Sequence, residues 1–128
     1  MADTVMVTDN GLGLITSLIK IGTATEPHHV GWGIGTAIAT IADSALGTPS
    51  VEARIIGTST QETTNTTNDT YQVVAAIICT GANKAITEIG MFDDATAGTL
   101  FLRGTFSAIN VSVGDSISFS IKTVFDQA

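Results

Sequence analysis

The chain is short of positive charge. Its 5 lysines and arginines stand against 12 aspartates and glutamates, a net charge of −7 over 128 residues. Such a surface repels phosphate, so no nucleic-acid partner is expected. Cysteine is nearly missing as well. The lone Cys79 excludes an internal disulfide framework and, set in the apolar run from Tyr71 to Thr80, reads as a buried inert thiol. That suits synthesis in a reducing cytoplasm. No uninterrupted apolar run approaches the roughly 20 residues of a membrane helix, and the start MADTVMVTDNG has no basic stretch leading into an apolar core. A soluble protein with no membrane partner, signal peptide or anchor is expected. Charged residues make up 13% and aromatics 5%, while hydrophobic residues reach 44%. The surface is therefore covered by Thr, Ser, Asn and Gly, or is partly hidden in an assembly. The length allows one core and not two.

What is present is mostly β-type alternation. An early exception is Gly11 to Ile21, where Leu12, Ile15, Leu18 and Ile19 recur at three-to-four spacing after the capping candidates Thr8, Asp9 and Asn10. This predicts one short amphipathic helix. Pro27 holds Glu26 extended, and HHVGWGIG follows as a strand with its glycines and His29 on one face and His28, Val30, Trp32 and Ile34 on the other. A strand with one bare face invites close approach by another backbone. Asp43 to Gly47 reads as a turn before Pro49. Further strands are predicted over Glu52 to Thr63, Thr70 to Thr80, Ala85 to Phe92, Thr99 to Phe106 and Asp115 to Phe125, with polar turns at Thr64 to Asp69 and Asp93 to Gly98 and a hairpin turn at Gly81 to Lys84. In the last strand Ile117, Phe119, Ile121 and Phe125 share the core face, and Ser116, Ser118, Ser120 and Lys122 the wet one. The strand Tyr71 to Cys79 is apolar on both faces, which makes it central between layers or half exposed at a subunit interface. The pattern predicts an all-β fold: an antiparallel β-sandwich, jelly-roll-like, with one short N-terminal helix. Residues 1–9 form a polar N-terminal arm and residues 10–128 the single sandwich domain.

Chemistry finds little to stand on. His28 and His29 are adjacent, point to opposite faces of a strand and have no second cluster to complete a metal shell. GWGIG is followed by no helix of a dinucleotide-binding unit, and GANK lacks both the upstream glycine and the Ser or Thr after lysine of a phosphate loop. The Ser17 to Lys20 spacing of penicillin-binding enzymes stands without its companion motifs, and no histidine follows Gly114-Asp115-Ser116. No enzyme activity, cofactor or metal is expected. Arg54 and Arg103, scarce cations in an acidic domain, are expected to pair internally with Glu52 or Glu88.

Six stretches together carry a resemblance. ITEIGMFD at Ile86 to Asp93, followed by GTLFLR at Gly98 to Arg103, resembles the signature of tailed-bacteriophage virion proteins, and GDSISFSI from Gly114 resembles their closing strand. Upstream, VGWGIGT from Val30, DSALGT from Asp43 and EAR from Glu52 resemble the matching front half, with Ile34 standing where relatives often carry threonine. The resemblance spans Asn10 to Phe125 and is nearest to small capsid decoration, or cement, proteins. It implies location on the outer surface of the capsid of a virion made in a host bacterial cytoplasm. The implied partners are the major capsid protein and further copies of the chain, as a homo-oligomer, most simply a trimer on a local three-fold axis. Stabilisation of the shell against internal DNA pressure is the implied function. Candidate contacts are Met1, Ala2, Asp3, Thr4, Val5, Met6 and Val7 in the arm, Trp32 in a core or subunit seam, and Val74, Ala76 and Ile78 on the two-sided strand. A tail, collar or baseplate adaptor and a carbohydrate-binding module are the alternatives.

Overall fold

The computed structural model describes residues 3–20 and 25–127. Its elements are β1 (Thr4–Val7), α1 (Asp9–Ile19), β2 (His29–Gly33), β3 (Ile55–Ile56), β4 (Thr58–Glu62), β5 (Thr70–Ile78), β6 (Lys84–Phe92), β7 (Leu100–Val111) and β8 (Ser116–Val124). The strands form two antiparallel sheets, one in the order β1-β7-β6-β2-β3 and one in the order β4-β5-β8. The all-β, sandwich-like class read from the sequence is the observed one. Between the sheets lies a single main core in which Val30, Trp32, Ile89, Met91 and Leu102 of the larger sheet meet Val73, Ala75, Ile77 and Ile121 of the smaller. Cys79 is fully buried in it.

Several boundaries moved, each for a local reason. The segment expected to be a free arm supplies β1, whose Thr4 to Val7 pair with Thr105 to Leu102 of β7. Val5 and Val7 alternate toward the inner side, and Val5 packs where Gly104 leaves room. Met1 and Ala2 lie outside the described residues. The helix starts earlier than its apolar pattern suggests because Thr8 caps it. The Thr8 hydroxyl accepts from the Gly11 N–H at 2.9 Å and donates to the Leu100 carbonyl at 2.5 Å. Gly11 and Leu14 are its buried residues, whereas Leu12, Leu18 and Ile19 face outward. The expected helix end at Ile21 lies outside the described residues.

The stretch Glu52 to Thr63 is not one strand. It breaks at Gly57 into β3 on the larger sheet and β4 on the smaller, so the chain turns a corner of the sandwich there. A Cβ at Gly57 would sit 2.4 Å from the Val73 side chain, and its N–H donates to the His28 carbonyl at 2.7 Å. Likewise the Gly81 to Lys84 turn joins strands of different sheets rather than closing a hairpin. At the other end, β7 runs on to Val111 instead of stopping at Phe106, and Phe125 lies past β8 and is exposed.

Candidate functional site

The glycine face of β2 is where the fold is most unusual. Residues 34–50 form no regular helix or strand and cross the side of the larger sheet that faces away from the smaller one. The strap closes on itself through Ile34 N–H to Thr48 O, and its end is tied to β2 by Ser50 N–H to Trp32 O. It comes so close that a Cβ on Gly33 would lie 2.4 Å from the Thr48 carbonyl oxygen, and one on Gly90 2.8 Å from the Leu46 side chain. The backbone approach expected from the bare strand face is thus made by the next segment of the same chain.

Beneath the strap sits a buried ionic cluster. Glu88 of β6, fully buried, accepts 2.7 Å bonds from the backbone N–H groups of Gly35, Gly47 and Thr48. The Arg103 guanidinium of β7, 2% exposed, donates to the same carboxylate at 2.8 and 2.9 Å, to Asp43 at 2.9 Å and to the Ala37 carbonyl at 2.9 Å. Burial alone would push the Glu88 carboxyl up, but these N–H groups and Arg103 outweigh it and hold it below its ordinary value. Asp43 is lowered too, since bonds from Thr40 and Arg103 outweigh its desolvation. For Arg103 desolvation acts downward, and the two carboxylates reverse it and raise the guanidinium. A buried charge persists only when so paired.

The internal pairing expected for the arginines holds for Arg103 and takes a different form for Arg54. Arg54 lies 3.4 Å over the Phe92 ring and donates to the carbonyls of Asp94 and Ala97, fastening the β6–β7 turn. Glu52 instead takes Lys84 at 2.5 Å, the Thr80 N–H and the Trp32 indole N–H, and is held well below the carboxylate range once these bonds overcome its desolvation. Trp32 is 2% exposed, so it belongs to the core and not to a subunit seam. The spacing of Glu88 and Arg103 shows in the sequence, but their junction needs the β6–β7 register, and Asp43 arrives from a loop that periodicity does not describe.

Among the described residues no group of three or more His, Cys, Asp or Glu is placed to hold a metal ion, and no helix is long and apolar enough to cross a membrane. What the surface does offer is apolar. On the outward face of β5, Val74 is half-buried while Ala76 and Ile78 are exposed, so this strand is the half-exposed kind. Val51, 80% exposed, continues the patch beside Ile78 and Ile55 on one side and Ile34 on the other. Of the N-terminal candidates, Asp3, Val5 and Met6 are exposed, and Thr4 and Val7 half-buried. Val5 helps floor a groove of about 570 Å³ with Ile89, Phe106 and Phe119, where the three-stranded sheet leaves the wider sheet uncovered. The architecture defines a two-sheet β-sandwich bearing an ion-fastened strap. Compared with known protein families, curated proteins and solved structures, the chain matches none of them.

Proposed function

We propose that the chain is a structural subunit of a tailed-bacteriophage virion that works by assembly rather than by chemistry. Its proposed place is the outer surface of the head, clamping neighbouring subunits of the major capsid protein against internal DNA pressure. The supporting observation is a division among its residues. Glu88, Arg103, Asp43 and the glycines of β2, which lie in the stretches that resemble virion proteins, are used up in fixing the shape, while Ile34, Val51, Ile55 and Ile78 are left outside. Large apolar side chains on a charge-poor surface suit contact with neighbours. The net charge of −7 suits the outside of a shell rather than packaged DNA. Several copies, proposed as a trimer, would add individually weak capsid contacts into firm attachment.

A tail, collar or baseplate adaptor is the second reading. The observation that favours it is β1: with Thr4 to Val7 committed to its own sheet, the domain has lost the reach of a nine-residue arm and would engage partners through its faces, as a ring does. The carbohydrate reading loses support, because Phe125 is the one aromatic residue classed as exposed among the described residues. Sedimentation equilibrium tests the assembly reading. A trimer or larger ring that Val51→Asp breaks into folded monomers is the expected result; a protein that stays monomeric at the highest attainable concentration would contradict it.

A further inference from the structure

We propose that residues 34–50 are a separately opening strap, fastened to the larger sheet by the Glu88 carboxylate, so that removing this one negative charge frees the strap while both sheets stay folded. Two observations carry this. The first is where the strap's fastenings go. Gly35, Gly47 and Thr48 donate to Glu88, while Ala37 and Asp43 accept from Arg103, which itself leans on Glu88. The second is what the strap leaves out. The main core contains no residue between 33 and 72, and the strap's Leu46 sits instead in a separate three-residue cluster with Phe92 and Leu100. Ile34, Ile38 and Ile41 face outward and contribute little grip.

Other ties are the Thr87 hydroxyl to the Gly35 carbonyl, the Asp9 N–H to the Ile41 carbonyl, a 3.5 Å contact from the Ala39 N–H to Thr105, and, at the strap's last residue, the Ser50 N–H to the Trp32 carbonyl and the Lys84 ammonium to the Ser50 hydroxyl at 3.2 Å. All but the last are neutral bonds, weaker than those to a charged acceptor, and the two at Ser50 hold only the point where the strap ends. The charged group facing Glu88 is Arg103 from β7, and beyond it Asp43 from the strap itself. With Glu88 neutral, one of its oxygens must carry a proton among converging donors. Arg103 then keeps Asp43 as its one carboxylate partner, beside the Ala37 carbonyl. Local units of this kind open at less cost than the whole fold.

Hydrogen exchange on Glu88→Gln tests the proposal, because the amide NH2 places a donor against donors. The expected result is at least about tenfold faster exchange at Gly35, Gly47 and Thr48, with the β5 and β8 amides unchanged. Leu46→Ala, which removes the strap's apolar anchor without touching the charge, should give the same confined pattern. In the unsubstituted protein, strap exchange corrected for intrinsic chemistry should rise below pH 4.5, and in Glu88→Gln that rise should shrink to the part Asp43 supplies through Arg103. Strap protection unchanged in Glu88→Gln, or protection lost from strap and sheets together in both variants, would overturn the proposal.

Discussion

Arg103 and Glu88 are worth more as a pair than either is alone. Arg103→Met would leave a carboxylate buried at 0% exposure without its cation, and stability should fall by about 3 to 5 kcal/mol in urea unfolding. Adding Glu88→Gln to that variant should recover part of the loss, since it removes the stranded charge; a strictly additive double variant would show that the two do not act together. Glycine positions make a second contrast. Gly33→Ala forces a methyl against the Thr48 carbonyl and the Glu88 carboxylate and should cost about 1 to 3 kcal/mol, whereas Gly13→Ala, with nothing within 4 Å in the middle of α1, should stabilise by up to about 1 kcal/mol. Thermal melts of the two variants should move in opposite directions. The pH dependence follows from the carboxylates. Glu88 and Asp43 are both depressed in the folded chain, so their contribution is complete above the ordinary values of 4.5 and 3.8 and is lost as pH falls through the folded ones. Unfolding free energy should be level at neutral pH and decline on the acid side of 4.5, and less steeply in Glu88→Gln.

At the scale of elements, β5 and β8 show what a sequence can tell. Val73, Ala75 and Ile77 alternate with Val74, Ala76 and Ile78, and Ser116, Ser118 and Ser120 alternate with Ile117, Phe119 and Ile121, so strand and face follow from period two alone. Which sheet a strand joins does not. Gly57 interrupts an otherwise continuous β-type stretch, and only the crowding by Val73 across the sandwich shows that the chain must change sheets there. The α1 stripe held only in part: Ile15 packs against the core, but Leu12, Leu18 and Ile19 face outward, and the cap set by Thr8 turns Gly11 and Leu14 inward beside it. Residues 1–9 read as too polar to join a core, yet the edge strand Thr4–Val7 asks only for ladder bonds and two valines. The ionic cluster was half legible, because Glu88 and Arg103 are rare charges in apolar strands, while Asp43 and three backbone donors come from a segment with no period to read. Thr8→Ala tests the cap directly. It should cost about 0.5 to 2 kcal/mol and raise exchange in the first turn of α1, and an unchanged melting temperature would mean that the Leu100 and Gly11 bonds contribute nothing net.

For the whole molecule, the unequal sheets and the strap divide the surface into an ion-fastened side and apolar sides. The three-stranded sheet covers the five-stranded one incompletely, leaving the groove beside Phe106 and Phe119, and the outward face of β5 adds Ala76 and Ile78. Only 13% of the chain is charged, so there is little to keep those sides apart from neighbours. Assembly is the physical use such a surface suits. The measurement that bears on this most directly is the number and position of copies on purified virions, by quantitative densitometry against the major capsid protein combined with cryo-EM of the particles. The account predicts a ratio near one copy per capsid subunit, with density over the three-fold axes on the outside of the head. A few copies confined to the tail would contradict the clamp on the shell, and particles that carry none of the chain would contradict a virion role altogether.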